Sequence, residues 1–368
     1  MRIEKVILRE IRMPLVMRFE TSFGTTTDRR IMLVEVQAEG VTGWGECIAG
    51  EEPHYSPETI ETAWLILRDY LWPEIRGKAF DSARDVWGML RQTRGNNMAK
   101  GALESAIWDA EAKQKGMPLW KLLGGVREEI SSGVSIGIQP TLDELIATVE
   151  KELAAGYQRI KIKIKPGQDL RPVEALRKRW PQVRLMVDAN SAYSLEDITF
   201  LKQLDPFGLM MIEQPLGWDD IYSHAKLQKQ IQTPVCLDEC IHRYDHALAA
   251  IELGACKIIN MKMGRVGGQL QARRIHDLCQ KNAIPVWCGG MLESGVGRAQ
   301  NIALSTLENF TLPGDVAASK RYWAEDIIDP EVEVTPKGTI KAPSGPGIGY
   351  QVKLERVEKL TVRRENLV

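Results

Sequence analysis

Apolar and polar positions alternate with two periods along this chain. In RIKIKIK (159–165), Ile160, Ile162 and Ile164 alternate with Arg159, Lys161, Lys163 and Lys165, the period of a strand with one apolar and one cationic face. Pro166 and Gly167 end the run. Similar short β-type segments occur at GVSIGI, RLMVDAN, GLMMIEQP, PVCLDE, CKIINMK, IPVWCGG and NFTLPGD. Between them, helical spacing appears in LDELIATVEKELAAG (142–156), VEALRKRW (173–180), LEDITFLKQLD (195–205), HALAAIELG (246–254) and GQLQARRIHDLCQKN (268–282). Eight strands with a helix at nearly every join predict a parallel β/α barrel. The rival, a doubly wound open sheet, usually has fewer strands and often a glycine-rich phosphate turn, and neither GxGxxG nor a Walker sequence occurs here.

Residues 1–125 read differently. RIEKVILREIRMPL and RRIMLVEVQAEGVTGWGEC have the pattern of antiparallel strands, and SPETIETAWLILRDYLWPEI and MAKGALESAIWDAEAKQKG that of helices. They predict an N-terminal α+β capping domain ahead of a barrel at 126–320. The tail, 321–368, carries strand-like EVEVT, GTIKAP and YQVKLERV and is expected to pack back on the capping domain. Net charge is −1, which offers no field for nucleic acid or an anionic membrane. No run of about 18 apolar residues is present, so no membrane span is expected, and the N-terminus lacks a signal-peptide pattern. The six cysteines form no CxxC pair and read as reduced thiols of a cytoplasmic protein.

Catalytic groups of such barrels sit at the C-terminal ends of strands. Lys163, Asp188, Glu213, Asp238 and Lys262 occupy those ends at intervals of 25, 25, 25 and 24 residues. Strand ends at a barrel mouth are half buried, so five ionisable residues there are a poor match to chance. Asp188, Glu213 and Asp238 lie on adjacent strands, and three converging carboxylates need a counter-charge. Oxygen-only ligands point to a hard cation, Mg²⁺ first and Mn²⁺ second. A purely structural ion-pair cluster is the alternative. Asn190 and Glu239 are placed to support the ligands. Lys163 and Lys262, on the second and sixth strands, face each other across an eight-strand mouth. The cationic face of RIKIKIK therefore looks into the barrel, with Lys161 a layer deeper in reach of a bound anion and Lys165 in solvent. Ser135, Gly289, Gly290 and Met291 are expected to line the same mouth, where glycines let backbone N–H groups approach an anion.

The words KIKIKPG, VDAN, IEQP, LDE, NMKMGRVGG, PVWCGGMLESG and FTLPGD together resemble the enolase superfamily, in its muconate-lactonizing subgroup. Within it the chain is most similar to the o-succinylbenzoate synthase/N-acylamino acid racemase family, over nearly its whole length. The resemblance implies a (β/α)7β TIM-like barrel under an α+β cap. It assigns Lys163 and Lys262 as the acid/base pair and Asp188, Glu213 and Asp238 as Mg²⁺ ligands. It implies Mg²⁺-dependent loss of water from a cyclohexadiene carboxylate in menaquinone synthesis, or racemisation of N-succinylamino acids, both through an enediolate. The lysine base must be neutral, so its pKa should fall towards roughly 7–8. Mandelate-racemase-like members carry a histidine where this chain has WCGGM. Dipeptide epimerases carry an Asp-x-Asp pair where TLPGDVA has Asp315 alone. A muconate-type cycloisomerase is the more distant alternative.

In that family MRFETSFGTTTDR (17–29) corresponds to a mobile lid, with Phe19 as the candidate substrate contact and Tyr55 as a second one from the cap. Arg265, three residues after Lys262, either tunes that lysine or caps a loop. His54, His224, His242, His246 and His276 share no ligand spacing and read as structural or surface residues. Arg171, Arg177, Lys178 and Arg179 read as a solvated helix face. The expected partners are a small carboxylate substrate and further copies of the chain in a homo-oligomer.

Overall fold

The structure is a computed structural model that describes Met1–Val368. Fifteen strands appear in chain order. β1 (Ile3–Glu20), β2 (Thr25–Ala38) and β3 (Val41–Cys47) open the cap. β4 (Glu129–Ser131), β5 (Val134–Ile136), β6 (Ile160–Lys163), β7 (Leu185–Asp188), β8 (Ile212–Glu213), β9 (Val235–Leu237), β10 (Ile258–Met261) and β11 (Val286–Cys288) follow. β12 (Ile328–Asp329), β13 (Thr339–Lys341), β14 (Gln351–Val352) and β15 (Thr361–Leu367) complete the tail.

β5 to β11 form one curled parallel sheet in sequence order. Between its strands run helices such as Leu142–Ala154, Leu170–Arg179, Tyr244–Leu253 and Gln269–Lys281. Runs of buried Val, Ile and Leu on these strands suit a sheet covered on both faces. The expected eighth strand is reduced to two isolated parallel bridges, Val286 with Phe310 and Ser132 with Gly314, which close the ring. Pro313 lies between them and has no N–H to give to a ladder. The stretch expected as one helix at 195–205 breaks into 3₁₀ and α turns around Ile198–Leu201.

β15, β1, β2 and β3 make the antiparallel sheet of the cap, in that order. The helix Asn97–Gln114 lies across β3 and is buried from Met98 to Ala112. Gly43 and Gly45 permit that approach: a methyl at either would land on the carbonyl oxygen of Ala106 or Ala102. The same helix docks on the barrel through Glu104, whose carboxylate accepts from Gln269 N (2.7 Å) and Leu270 N (3.0 Å) at the start of Gln269–Lys281. The tail divides its contacts. β13 pairs with β4 beneath the barrel, β14 pairs with β12, and only β15 joins the cap sheet. EVEVT forms no strand, and of the strand-like YQVKLERV only Gln351–Val352 is a strand, while its LERV end lies in the helix Leu354–Leu360. Arg177 also departs from expectation. Its guanidinium holds the carbonyls of Phe207 and Pro181 at 2.8 and 2.9 Å, fastening a loop instead of facing water.

Residues 17–29 are the tip of a long β1–β2 hairpin. Phe19 pairs with Thr26 and Glu20 with Thr25, and the register slips between Pro14 and Phe19. This tip leans on the barrel, with Ile138 N donating to Glu20 O (2.9 Å) and Ser22 Oγ to Asn190 O (3.2 Å). The cap is thereby held over the C-terminal ends of β5 to β7.

Candidate active site

Register in the parallel sheet sets the neighbours. Lys163 lies beside Asp188, and Asp188 beside Glu213. Asp238 and Lys262 come one residue past the ends of β9 and β10. All three carboxylates are sealed from solvent.

The cations of β6 climb the barrel interior, and each meets a carboxylate. Arg159 at the bottom lies 2.8 Å from Asp315 Oδ1. Lys161 Nζ reaches Asp315 Oδ2 (2.7 Å), Glu213 Oε2 (2.9 Å) and Asp188 Oδ2 (3.2 Å), above the ring of Trp287. Lys163 Nζ donates to Asp188 Oδ2 (2.5 Å) and Asn190 Oδ1 (2.7 Å). Lys165 at the top pairs with Glu20 of the cap hairpin (3.3 Å) and so does not simply enter solvent. Four cations on one strand face are tolerated because the opposing acids are interleaved with them.

Across the mouth, Lys262 Nζ donates to Asp238 Oδ2 (2.8 Å) and lies 4.3 Å from the Tyr55 ring centroid. Tyr55 Oη donates to Asp238 Oδ1 (2.9 Å), which also accepts from Arg265 Nη1. Arg265 in addition holds Ile241 O and Asn260 O, so it both flanks Lys262 and caps a loop. Asn190 Nδ2 donates to Glu239 Oε1 (3.0 Å).

A cleft of about 440 Å³ lies above these groups, in the range of small-molecule sites. Phe19, Tyr55, Lys163, Asn190, Lys262, Gly290 and Met291 line it. Ser135 and Gly289, expected at the mouth, do not, and neither does Lys161, expected a layer deeper. Lys161 and Ser135 are buried, and a side chain on Gly289 would meet the Asn260 carboxamide. The inward positions of Lys161 and Ser135, paired across β6 and β5, follow from strand alternation below the strand ends. Residues not anticipated as part of the site are Asn260, which donates to Glu213 Oε1 at 2.6 Å, the Asp315–Arg159 pair, and Arg29, Phe23 and His54 on the cleft wall. Asn260 was findable, because it precedes Lys262 by two and shares its strand face. The cap residues carry no such signal.

Burial is the largest influence on the Asp188 carboxyl and favours its acid form, yet the Lys163 and Lys161 ammoniums together hold it well below the usual carboxylate range. Glu213 is raised by burial and by the Asp188 charge. Burial and the same charge push Glu239 up to about 7. Burial opposes the charge on Lys262, but Tyr55, Glu239 and Glu213 outweigh it and raise its pKa.

The donor set suits a hard divalent cation. Asp188, Glu213 and Asp238 are oxygen ligands on adjacent strands, and Glu239 Oε2 is sealed beside them without a hydrogen-bond partner. The three carboxylates are now held by ammonium groups, Asp188 by Lys163, Glu213 by Lys161 and Asp238 by Lys262. Tyr55→Phe removes the hydroxyl from Asp238 and keeps the ring over Lys262. It is expected to weaken Mg²⁺ binding about 10–100-fold by calorimetric titration; unchanged affinity would show that the hydroxyl serves packing alone.

Residues 3–124 match the mandelate racemase/muconate lactonizing enzyme N-terminal domain, and residues 144–357 match the enolase C-terminal domain-like family. The chain belongs to the enolase superfamily. Among curated members, it is 54% identical over 360 residues to an o-succinylbenzoate synthase of Geobacillus kaustophilus, covering 98% of this chain and 96% of that one. It is 46% identical over 362 residues to an N-succinylamino acid racemase of Thermus thermophilus, covering 98% of each. A solved enolase-superfamily structure from Listeria innocua superposes with a TM-score of 0.97 at 42% identity, covering 100% of this chain and 99% of that one. No helix of the chain is long and apolar enough to cross a membrane.

Proposed function

We propose that this enzyme is an o-succinylbenzoate synthase, dehydrating 2-succinyl-6-hydroxy-2,4-cyclohexadiene-1-carboxylate to 2-succinylbenzoate. The observation that carries the reading is the placement of Lys163 and Lys262 in one cleft, four strands apart across the mouth, with a carboxylate trio between them. The similarity to the Geobacillus synthase supports the choice of substrate.

Asp188, Glu213 and Asp238 would hold Mg²⁺, or Mn²⁺ in its place, which supplies positive charge for the substrate carboxylate and for the enediolate left when its α-proton departs. Lys163, neutral, takes that proton from the α-carbon at Nζ. Now an ammonium, it returns a proton to the departing hydroxyl, so the ring gains a double bond and water leaves. Lys262 stays cationic opposite and steadies the developing charge; the acids around it favour that protonated state. Asn190, bonded to Lys163, orients the base, and the cap hairpin excludes water.

N-succinylamino acid racemisation is the second reading, favoured by the same lysine pair and by the Thermus relative. It uses the same proton abstraction, with reprotonation from the opposite lysine.

The test is consumption of the cyclohexadiene substrate, followed by its absorbance, with Mg²⁺ and with EDTA. Activity that EDTA abolishes and Mg²⁺ restores is expected. No consumption at any enzyme concentration, with Mg²⁺ present, would sink the assignment.

A further inference from the structure

The main chain just past β8 takes a conformation that its residue type disfavours. Gln214, next to Glu213, has a φ of 38°, in the left-handed region that glycine and asparagine enter most readily. Pro215 follows and disfavours right-handed helical backbone before it. Gln214 is fully buried. A residue held in such a conformation persists only where its surroundings fix it, and its bonds show what does.

Every polar group of Gln214 is bonded, and the partners reach the ends of the strands on either side. Its N–H donates to Cys236 O on β9 (2.9 Å), and its carbonyl accepts from Ser191 N, past β7 (2.8 Å). Its side-chain Oε1 accepts from Asp238 N (3.0 Å) and Cys240 N (3.3 Å), past β9. Nε2 donates to Gly217 O (3.0 Å) and Cys240 Sγ (2.9 Å). The main chain thus fastens the turn after Asp188, and the carboxamide fastens the turn that carries Asp238. None of these bonds goes to a carboxylate. Gln214 leaves the charge of the acids alone and fixes how far apart the backbones that bear them stand.

That spacing matters because hard cations differ in what they accept. Mg²⁺ demands near-octahedral oxygens at about 2.0–2.1 Å, whereas Ca²⁺ takes more ligands at about 2.3–2.6 Å in flexible geometry. Three ligands on backbones tied at fixed spacing suit the smaller ion. We propose that Gln214 is a positioning residue that holds the turns of Asp188, Glu213 and Asp238 at the spacing of Mg²⁺, so that the site discriminates against Ca²⁺. This rests on the reading above in which those three carboxylates hold the metal.

The experiment measures calorimetric Kd values of Mg²⁺ and of Ca²⁺ for the full-length protein freed of metal with EDTA and dialysed, with folding checked by circular dichroism. Wild type is expected to prefer Mg²⁺. Gln214→Asn accepts the left-handed backbone but is one methylene too short for Asp238 N and Cys240 N. Its Mg²⁺ affinity is expected to fall about 10–100-fold, the range for lost supports of metal ligands. Ca²⁺ binding should change less, so the preference shrinks towards one. Gln214→Met fills the same space without the amide and carries the same expectation, which keeps the test open if the shorter variant does not fold. A packing role would leave the preference intact in Gln214→Met. Gln214→Glu keeps an acceptor for both N–H groups, and its added charge draws both ions alike, so its preference should stay near that of wild type. A preference that survives in folded Gln214→Asn or Gln214→Met, or that Gln214→Glu loses as fully as they do, overturns the proposal and leaves the metal reading standing. So does a wild type that binds both ions equally well. A wild type that binds neither ion removes the metal reading and the proposal with it.

Discussion

Lys163→Ala is expected to abolish α-proton exchange from one enantiomer of an N-succinylamino acid in D₂O and to leave the other partly intact. Lys262→Ala should give the mirror image. The two ammoniums rise from β6 and from just past β10, on opposite sides of the sheet's carboxylate arc. A substrate α-carbon held between them presents one face to each, and each enantiomer directs its proton to one lysine only. Loss of a positioned acid/base group commonly costs about 10²–10⁴ in rate, so the asymmetry should be plain by NMR. Synthase turnover should fall in both variants for different reasons. One lacks the base, and the other lacks the cation facing the enediolate. Equal loss of both enantiomers in folded, Mg²⁺-binding variants would contradict the opposed arrangement.

Asp315→Asn is expected to produce the largest loss of stability. Asp315 sits between Arg159 and Lys161, with all three side chains almost fully buried. Removing its charge leaves two cations in the barrel floor with too few acids. Breaking a buried ion pair from one side typically costs about 3–5 kcal/mol. Burial alone would raise the Asp315 carboxyl, but Arg159 and Lys161 outweigh it and hold the group down at about 2. An unfolded aspartate titrates near 3.9. The stabilisation is therefore complete above about pH 4 and is lost as pH falls from there through about 2. Denaturant midpoints across that window should decline in wild type more steeply than in Asp315→Asn. Parallel curves, or a variant as stable as wild type at neutral pH, would show that Asp188 and Glu213 already suffice for Lys161.

The barrel and its strand-end residues were legible because both are local and periodic. Alternation in RIKIKIK marked the strand, and the recurrence from Lys163 to Lys262 marked the mouth without any long-range information. What escaped depends on packing between distant segments. Asp315 reads as a lone loop acid until Arg159 and Lys161 are seen facing it. The partner of Lys165 lies in another domain, at Glu20. Arg29 and Arg30 are indistinguishable as a dipeptide, and only the placement of the hairpin gives Arg30 its partner Glu10 and leaves Nε and Nη2 of Arg29 without one. The final strand, TVRRENL, alternates as β-strands do, but nothing local names β1 as its neighbour.

That last pairing orders events during synthesis. β1 and β15 lie side by side, with Val6 opposite Leu367, so the barrel is synthesised between two neighbouring strands of the cap. The whole barrel leaves the ribosome before the strand that covers the outer edge of β1. Until then β1 keeps a row of unpaired backbone groups, an edge open to strands of other nascent chains. The hairpin carrying Phe19 and Arg29 hangs from that same unfinished sheet. A barrel leaving the ribosome therefore carries a cap sheet that still lacks β15.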